Sequence, residues 1–361
     1  MKLEEIVSKI KPIGEEWVEK ARLHTMQLAI PPRALGRLHE ISERICGMEE
    51  TLQPDVSQKA FLVMAGDHGV ASDGVSAFPQ EVTGEMVKNF LRGGAGINVL
   101  ARSVGAEVRV VDMGIIPDVD PGASEYRNRF HICKVGRGTG NIARGPAMTR
   151  DQAEESILHG FRLASELFSN GVRMLGTGDM GIGNTTPSAA LGAVLAGKPV
   201  NQMVGRGTGI DDGAMKNKCD VVERAIAVNR PNPADGVDAL AKVGGFEIGG
   251  IAGCVLAAAY HKRPVVIDGF ISTAGALVAH ALCPAVVDYT FAGHCSEESG
   301  HRRMLEYLRL EPIMDLRLRL GEGTGAALAM GVIEGAVRVF NELLTFEQAG
   351  VTSSETAAVP K

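Results

Sequence analysis

Aromatic residues and positive charge are both scarce in this chain. Only 4% of its 361 residues are Phe, Trp or Tyr, and 37 Lys and Arg stand against 43 Asp and Glu, a formal net charge of −6. Proteins that bind nucleic acids usually present a basic surface or aromatic platforms on which bases stack. The composition therefore argues against that class, and no nucleic-acid partner is expected.

Long apolar runs are missing as well. The longest run, residues 251–260, is shorter than the roughly 18 to 20 residues that span a bilayer. Residues 1–14 mix glutamates and lysines with apolar residues, so they lack the apolar core of a signal peptide. We expect no membrane segment and a cytoplasmic location.

Motifs for several common chemistries are absent. The six cysteines include no C-x-x-C pair, and the chain contains neither G-x-S-x-G nor G-x-x-x-x-G-K-[ST]. Possible metal ligands do lie close together in one stretch, but without the spacing of a known zinc motif. These residues are His294, Cys295, Glu297, Glu298 and His301. We interpret them as loop polar contacts and expect no metal and no cofactor.

Glycine is abundant instead, with 45 residues against an average usage of about 7%. Short apolar runs followed by glycine or polar residues predict buried strands, and helical periodicity predicts helices between them. The predicted strands are residues 61–65, 108–111, 172–175, 265–267 and 286–289. The predicted helices are residues 82–91, 153–168, 189–195 and 248–260. Such alternation indicates a parallel α/β sheet, in which ligands bind beyond the carboxyl ends of the strands.

The two ends of the chain differ from this pattern. Residues 1–47 carry apolar side chains at helical spacing, interrupted by Pro12 and by Pro31 and Pro32. Residues 326–344 predict a last helix, and the polar residues 350–361 predict a frayed tail. Nothing in the composition marks a domain boundary.

Two glycine clusters could bind an anion. Residues 176–186 include a G-x-G-x-x-G match at Gly176, Gly178 and Gly181, but the acid expected about 20 residues later in a dinucleotide site is missing. Residues 205–209 form the second cluster, and Lys216 and Lys218 follow it. Free backbone amides and these cations suit one phosphate group, although both clusters are also compatible with ordinary tight turns.

A third cluster places a carboxylate between glycines. Glu322 stands between Gly321 and Gly323, ahead of an apolar helix, so its side chain could reach a ligand unhindered. An acidic residue in the first turn of a helix is also common for dipole reasons alone. His68, which follows the first strand, could act as an acid or base, but we assign it and Asp67 to the pocket wall.

The order of these motifs resembles that of a known family, the nicotinate-nucleotide:dimethylbenzimidazole phosphoribosyltransferases, which build the lower ligand of cobalamin. The similarity extends over nearly the whole chain. The motifs that carry it are residues 31–38, 67–70, 74–79, 82–83, 93–100, 180–186, 204–209, 268–272 and 320–327.

The resemblance implies a three-layer α/β/α, Rossmann-like large domain with a mainly parallel sheet and a small helical domain from the terminal segments. In this division, residues 1–60 contribute to the small domain and residues 61–325 form the catalytic domain. Residues 326–349 then pack as a C-terminal helix on the small domain, and residues 350–361 are a flexible tail. The resemblance also implies a homodimer with sites near the subunit boundary.

The resemblance further implies roles for individual residues. Glu322 resembles the catalytic base, with Asp179 as a second carboxylate. The implied ribose-phosphate contacts are Gly181, Ile182, Gly183, Asn184, Thr185, Thr186, Gly207, Lys218 and Ser296. The implied pocket for the aromatic base comprises Ser76, Phe78, Glu85 and Met86, and Leu320 is a further substrate contact.

Two positions depart from the family pattern. Asp179 stands where a glutamate is usual, so the second carboxylate is one methylene shorter. Glu85 stands where glutamine is expected, and an ionised glutamate only accepts hydrogen bonds. The second change bears on which base is accepted.

The implied activity moves ribose 5-phosphate from nicotinate mononucleotide to 5,6-dimethylbenzimidazole or a related base, for assembly of the cobalamin nucleotide loop. The products would be nicotinate and an α-ribazole phosphate. Two alternatives remain at this point: the same chemistry on a phenol, a purine or a substituted benzimidazole, and a non-catalytic dinucleotide-binding protein.

Overall fold

The computed structural model describes residues 1–122, 127–205 and 212–352. Its strands are β1 (Lys59–Gly66), β2 (Ala106–Gly114), β3 (Phe130–Ile132), β4 (Met174–Met180), β5 (Val265–Ile267) and β6 (Thr290–Ala292). They form one sheet in the order β3-β2-β1-β4-β5-β6, and every pair of neighbours is parallel. The predicted α/β class is confirmed.

Fifteen α-helices lie within the described residues. The first seven are α1 (Leu3–Val7), α2 (Glu15–Thr25), α3 (Arg37–Glu49), α4 (Val82–Leu91), α5 (Gly96–Ser103), α6 (Arg150–Ser169) and α7 (Thr185–Leu195). The next four are α8 (Val200–Met203), α9 (Asp212–Asn229), α10 (Gly236–Val243) and α11 (Phe246–Tyr260). The last four are α12 (Phe270–Leu282), α13 (Ser299–Leu308), α14 (Thr324–Glu342) and α15 (Phe346–Ala349).

The position of β1 near the centre of the sheet explains why its sequence is apolar. All eight residues of β1 are buried, because helices cover both faces of the sheet. On β4, Thr177 bonds Ser272 of α12, whereas Gly178 packs against the loop before α14. Adjacent residues of a strand point to opposite faces, so α12 and α14 lie on opposite sides. The result is a three-layer arrangement.

The strand order reverses between β1 and β4, since the chain builds one half of the sheet outward from β1 and the other outward from β4. A reversal of this kind leaves a crevice at the carboxyl ends of the two strands, where ligands bind in open α/β sheets. Asp67 and His68 follow β1 at this edge, and Gly181 follows β4.

The predicted strand at residues 286–289 is wrong. Pro284–Tyr289 is a 3-10 helix, and β6 begins only at Thr290. The buried guanidinium of Arg44 on α3 donates to the carbonyls of Val287, Asp288 and Thr290. Those carbonyls are thus bound by a side chain instead of a neighbouring strand. Burial lowers the pKa of Arg44 to about 10, so it keeps its charge near neutrality.

Strand β3 was not predicted. It is a three-residue edge strand, and Ile132 is 69% exposed. Short edge strands carry little apolar signal because only one side of them meets the sheet.

The terminal segments meet in space. Leu28 forms an isolated antiparallel bridge with Thr345, and the backbone amide of Phe346 donates to Gln27. A small separate core of Ala21, Cys46 and Phe340 joins α2, α3 and α14. The helical character of residues 1–47 is confirmed by α1, α2 and α3, and the helix predicted at residues 326–344 is confirmed as α14, with α15 following it. The division into a large and a small domain stays a prediction.

The longest apolar run forms α11, whose residues are all buried except Tyr260. Glycines let α6 and α11 approach closely: a Cβ on Gly160 would lie 1.9 Å from the carbonyl oxygen of Gly250, and one on Gly253 would lie 2.0 Å from that of Ile157. This run therefore belongs to the core. In the part of the chain that the structure describes, no helix has the length and apolar character needed to cross a membrane.

The contact between α6 and α11 leads to a stability prediction. We expect Gly160→Ala to lower the free energy of unfolding by about 1–3 kcal/mol, because the helices must separate to admit the methyl group. Gly335→Ala on α14 is the matched control, since nothing lies within 4 Å of its added Cβ and alanine favours helix. Urea unfolding followed by circular dichroism measures both; equal stability of the two variants would contradict the packing argument.

Candidate active site

A cavity of about 120 Å³ lies at the carboxyl edge of the sheet. It is lined by the ends of β4 and β6, the start of α12 and the segment before α14. Its lining residues are Asp179, Met180, Gly181, Ile182, Asn184, Thr185, Gly269, Phe270, Ile271, His294, Ser296, Glu298, Arg319, Leu320 and Gly321. Seven of the predicted site residues therefore share one cavity: Asp179, Gly181, Ile182, Asn184, Thr185, Ser296 and Leu320.

Loop 181–186 connects β4 to α7 and is tightly held. The amide of Ile182 donates to Oγ1 of Thr83 on α4 at 3.1 Å, and Nδ2 of Asn184 donates to Asp179 at 3.0 Å. A Cβ on Gly181 would lie 2.3 Å from the carbonyl oxygen of Gly66, so only glycine fits there. The loop enters the N-terminus of α7, where amides and the helix dipole favour an anion.

Lys218 of α9 supplies a cation beside this loop. It is 1% exposed, and its Nζ donates to Oγ1 of Thr185 at 2.7 Å and to the carbonyl of Gly205 at 3.2 Å. Burial lowers the pKa of Lys218, and the nearby carboxylate of Glu298 opposes that shift. Thr186 is buried, and Gly207 lies outside the described residues.

Glu322 lies in an unusual stretch of backbone. Gly321, Glu322 and Gly323 have φ values of 81°, 64° and 104°, a left-handed region that glycine adopts easily and glutamate does not. The side chain is 5% exposed, and its Oε2 accepts from the amide of Ile97 at 3.0 Å. Burial raises the pKa of Glu322, and the bond from Ile97 opposes the rise.

Asp268 holds this strained loop in place. It follows β5, has no exposed surface, and accepts from the amides of Gly323, Gly325 and Ala326 at 3.1, 2.7 and 3.0 Å. Burial raises its pKa, and the nearby His294 together with the three amides opposes that rise. The sequence places Asp268 directly after a predicted strand, which was an available signal, yet no role was assigned to it.

Asp179 is enclosed with other carboxyl groups. It is 6% exposed, and apart from the bond from Asn184 its surroundings disfavour a negative charge. Burial raises the pKa of Asp179 to about 8, and the charges of Asp268, Glu247 and Glu322 act in the same direction. The carboxyl of Asp179 is therefore largely protonated at pH 7.

The glycines of the dinucleotide-like match serve a different purpose. Gly176 and Gly178 lie within β4, not in a loop. A Cβ on Gly176 would meet the ring of Phe61 at 2.1 Å, and one on Gly178 would meet the carbonyl oxygen of Glu322 at 2.1 Å. They let a ring and the Glu322 loop pack on the strand, so the prediction of free amides throughout residues 176–186 is wrong for the first half of that stretch.

Ser296 is positioned by a buried histidine. Its amide donates to Nδ1 of His301 at 2.8 Å, which places the proton of the neutral ring on Nε2, facing Thr273 at 2.9 Å. Burial lowers the pKa of His301 to about 3, so the ring stays neutral. No group of three or more His, Cys, Asp or Glu that could hold a metal ion occurs among the residues the structure describes.

The predicted base pocket lies outside the cavity lining. Phe78 is 51% exposed, and its amide donates to Oγ of Ser76 at 3.3 Å. Glu85 and Met86 lie on α4, where Glu85 is exposed and Met86 half-buried. Thr83, on the same helix as Glu85 and Met86, contacts loop 181–186, and the role of the four residues stays a prediction.

Comparisons with known proteins identify the family of this chain. A family model described as phosphoribosyltransferase matches residues 10–351. Relatives from Geotalea uraniireducens and Geobacter sulfurreducens are 54% and 53% identical, and each alignment covers 98% of this chain and 99% of the relative. Both are named nicotinate-nucleotide–dimethylbenzimidazole phosphoribosyltransferase.

A solved structure gives the same answer for the fold. The crystal structure of CobT from Thermus thermophilus superposes with a TM-score of 0.89 at 44% identity, covering 94% of this chain and 100% of that one. Half of its residues are identical to those of relatives that share one name and align over their full length. The chain therefore belongs to the nicotinate-nucleotide–dimethylbenzimidazole phosphoribosyltransferase family.

Proposed function

We propose that this chain transfers ribose 5-phosphate from nicotinate mononucleotide to 5,6-dimethylbenzimidazole or a related base. The products are nicotinate and an α-ribazole phosphate, a building block of the cobalamin nucleotide loop. The observation that carries the proposal is Glu322, a buried carboxylate held in left-handed backbone directly after the cavity residue Gly321. The shared name of the relatives supplies the substrates.

The donor needs little help to lose its base. In nicotinate mononucleotide the ring nitrogen is positively charged, so cleavage of the glycosidic bond neutralises the ring and places positive charge on the anomeric carbon of ribose. Asp179 lines the cavity, and its carboxyl oxygens are the proposed acceptors that favour this developing positive charge. No acid has to protonate the leaving group.

Loop 181–186, which we call the phosphate loop, is the proposed site for the single phosphate of the donor. The N-terminus of α7 offers backbone amides, and the ammonium of Lys218 is fixed by Thr185 beside them. Fixed donors of this kind bind a phosphomonoester without a bridging metal. Ser296 lines the same cavity as this loop.

Glu322 is the proposed general base. The acceptor nitrogen attacks the anomeric carbon on the face opposite the departing nicotinate, the new C–N bond forms as the old one breaks, and the acceptor proton passes to Glu322. Attack on the opposite face inverts the β-linked donor to an α-linked product. The raised pKa of Glu322 makes it a stronger base than an exposed glutamate.

The acceptor is the less defined substrate. Ser76, Phe78, Glu85 and Met86 are its proposed contacts, and the exposed ring of Phe78 is available for stacking on a flat heterocycle. Glu85 adds a hydrogen-bond acceptor, which suits a base with an extra donor, such as a hydroxylated benzimidazole. Phenols and purines remain alternative acceptors.

The homodimer implied by the resemblance is also a proposal. Leu320, which lines the cavity, is 61% exposed, and Phe78 is 51% exposed; a second subunit packed over these apolar side chains would cover them. Light scattering of the purified protein tests it. The cytoplasmic location also stays a prediction.

Nicotinate release is the direct test of the activity. The purified protein should convert nicotinate mononucleotide and 5,6-dimethylbenzimidazole to nicotinate and one α-linked ribotide, with and without a chelator. Parallel reactions with hydroxylated benzimidazoles, phenols and adenine rank the acceptors. No nicotinate release with any acceptor, or a β-linked product, would contradict the proposal.

Replacement of Glu322 tests its role in the same assay. We expect Glu322→Gln to lower kcat by about 10²- to 10⁴-fold, since the amide cannot take the proton, while the fold survives. Glu342→Gln, which removes an exposed carboxylate paired with Arg338, should turn over like the wild type. Unchanged kcat in Glu322→Gln would transfer the role to another group.

The protonation of Asp179 is tested by the pH dependence of stability. The folded state keeps a proton on Asp179 up to pH about 8, whereas the unfolded chain loses it near pH 4, so the stability of the wild type falls between these values. We expect Asp179→Asn, which has no proton to lose, to gain stability relative to the wild type as the pH rises from 4 to 8.

Asp118→Asn is the control, because hydrogen bonds from Arg137 and Lys134 hold the pKa of Asp118 below its usual range; its stability relative to the wild type should change below about pH 4 and stay level from about pH 5 to 8. Urea unfolding at several pH values measures all three proteins. A constant difference between Asp179→Asn and the wild type would mean that Asp179 is ionised at neutral pH and is a rival base.

A further inference from the structure

A second buried pair lies at the same edge of the sheet, outside the cavity lining. His68, which follows β1, is 1% exposed, and Glu247, in the first turn of α11, has no exposed surface. Nε2 of His68 and Oε1 of Glu247 are 2.8 Å apart. Glycines enclose the pair, since a Cβ on Gly245 would lie 2.5 Å from the His68 ring and one on Gly66 2.9 Å from Oε2 of Glu247.

The buried pair of His68 and Glu247 lowers the stability of the fold more than an apolar pair would. Nδ1 of His68 and Oε2 of Glu247 have no hydrogen-bond partner within the described parts of the chain. Buried polar atoms without partners cost stability and are uncommon in proteins. An apolar pair of similar size would fill this space at lower cost, so the pair calls for a role beyond packing.

The His68 ring supports the phosphate loop. A Cβ on Gly181, the first residue of that loop, would lie 3.2 Å from Nε2 of His68. The atom that bonds Glu247 therefore lies beside Gly181 and limits that position to a residue without a side chain. The hydrogen bond to Glu247 orients the ring at this place beside the loop.

The backbone of His68 contacts the segment that carries two of the proposed acceptor contacts. Its carbonyl oxygen accepts from the amide of Ala71 at 3.0 Å and from Nε2 of Gln80 at 3.1 Å. Ala71 in turn packs against Gly183 of the phosphate loop, at 3.4 Å from its added Cβ. Gln80 ends residues 76–80, which we call the acceptor segment because it carries Ser76 and Phe78.

We propose that the buried pair of His68 and Glu247 is a positioning device that holds the phosphate loop and the acceptor segment in one arrangement, so that donor and acceptor meet in register. The inference rests on the proposed function. The pair touches neither substrate; it acts through Gly181 on one side and Gln80 on the other. Loss of the pair affects both substrates together.

Steady-state kinetics of the full-length enzyme with nicotinate mononucleotide and 5,6-dimethylbenzimidazole test the inference. We expect His68→Ala and Glu247→Ala each to raise both KM values in parallel by tenfold or more and to lower kcat, because displacement of bound groups by about 1 Å costs on the order of 10²-fold in rate. The double variant should be no worse than either single one, as for residues that act as a unit.

Conservative variants separate positioning from general damage. His68→Gln and Glu247→Gln keep a donor and an acceptor at the two bonded atoms, and both should stay within about threefold of the wild type in each KM. Glu247→Met replaces Glu247→Ala if the latter does not fold. Glu43→Gln is the stability control. Glu43 lies on α3, away from this edge, and is a 2% exposed carboxylate paired with Arg33.

Three results would overturn the inference: unchanged KM values in folded His68→Ala and Glu247→Ala, a change in the KM of one substrate only, or the same paired rise in Glu43→Gln. A wild-type enzyme without turnover would overturn the proposed function first, and is thereby distinguished from these.

Discussion

The hydrogen bonds from three backbone amides to Asp268 are the constraint on which the site depends. Glu322 and its flanking glycines have left-handed backbone, which costs free energy for a glutamate. The fully buried carboxylate of Asp268 offsets that cost by binding the amides of Gly323, Gly325 and Ala326. Gly178 then lets the same loop rest on β4. The direction of the Glu322 side chain therefore follows from backbone contacts, not from its own rotamer alone.

Enclosure of several acids at one edge of the sheet separates their chemical roles. Asp268 accepts hydrogen bonds from backbone amides. Asp179 carries a proton and accepts from Asn184, and Glu322 accepts from the amide of Ile97. Similar side chains in different surroundings acquire different proton affinities, which is how one site can hold both neutral and charged carboxyl groups. A site of this kind suits a reaction in which positive charge appears briefly on the substrate.

The sequence predicted β1, β2, β4 and β5, because burial on both faces leaves continuous apolar runs, and helical periodicity predicted α4, α6, α7, α11, α14 and the helical N-terminal segment. It also placed the main loops at the correct edge. It failed at residues 286–289, since the carbonyls there bind Arg44 from a distant helix, and at Gly176, whose neighbour is the ring of Phe61. The function of Asp268 was missed for the same reason: its partners are amides that follow more than 50 residues later. Contacts between distant segments leave no local pattern.

The buried guanidinium of Arg44 has a consequence for how the chain is made. Its three carbonyl acceptors lie 243 to 246 residues further along the chain, so they leave the ribosome long after α3 does. Closing so long a loop costs conformational entropy that later contacts must recover. The charged end of Arg44 must remain hydrated during most of translation. The edge of the sheet at β6 is completed only when α3 packs against residues 287–290.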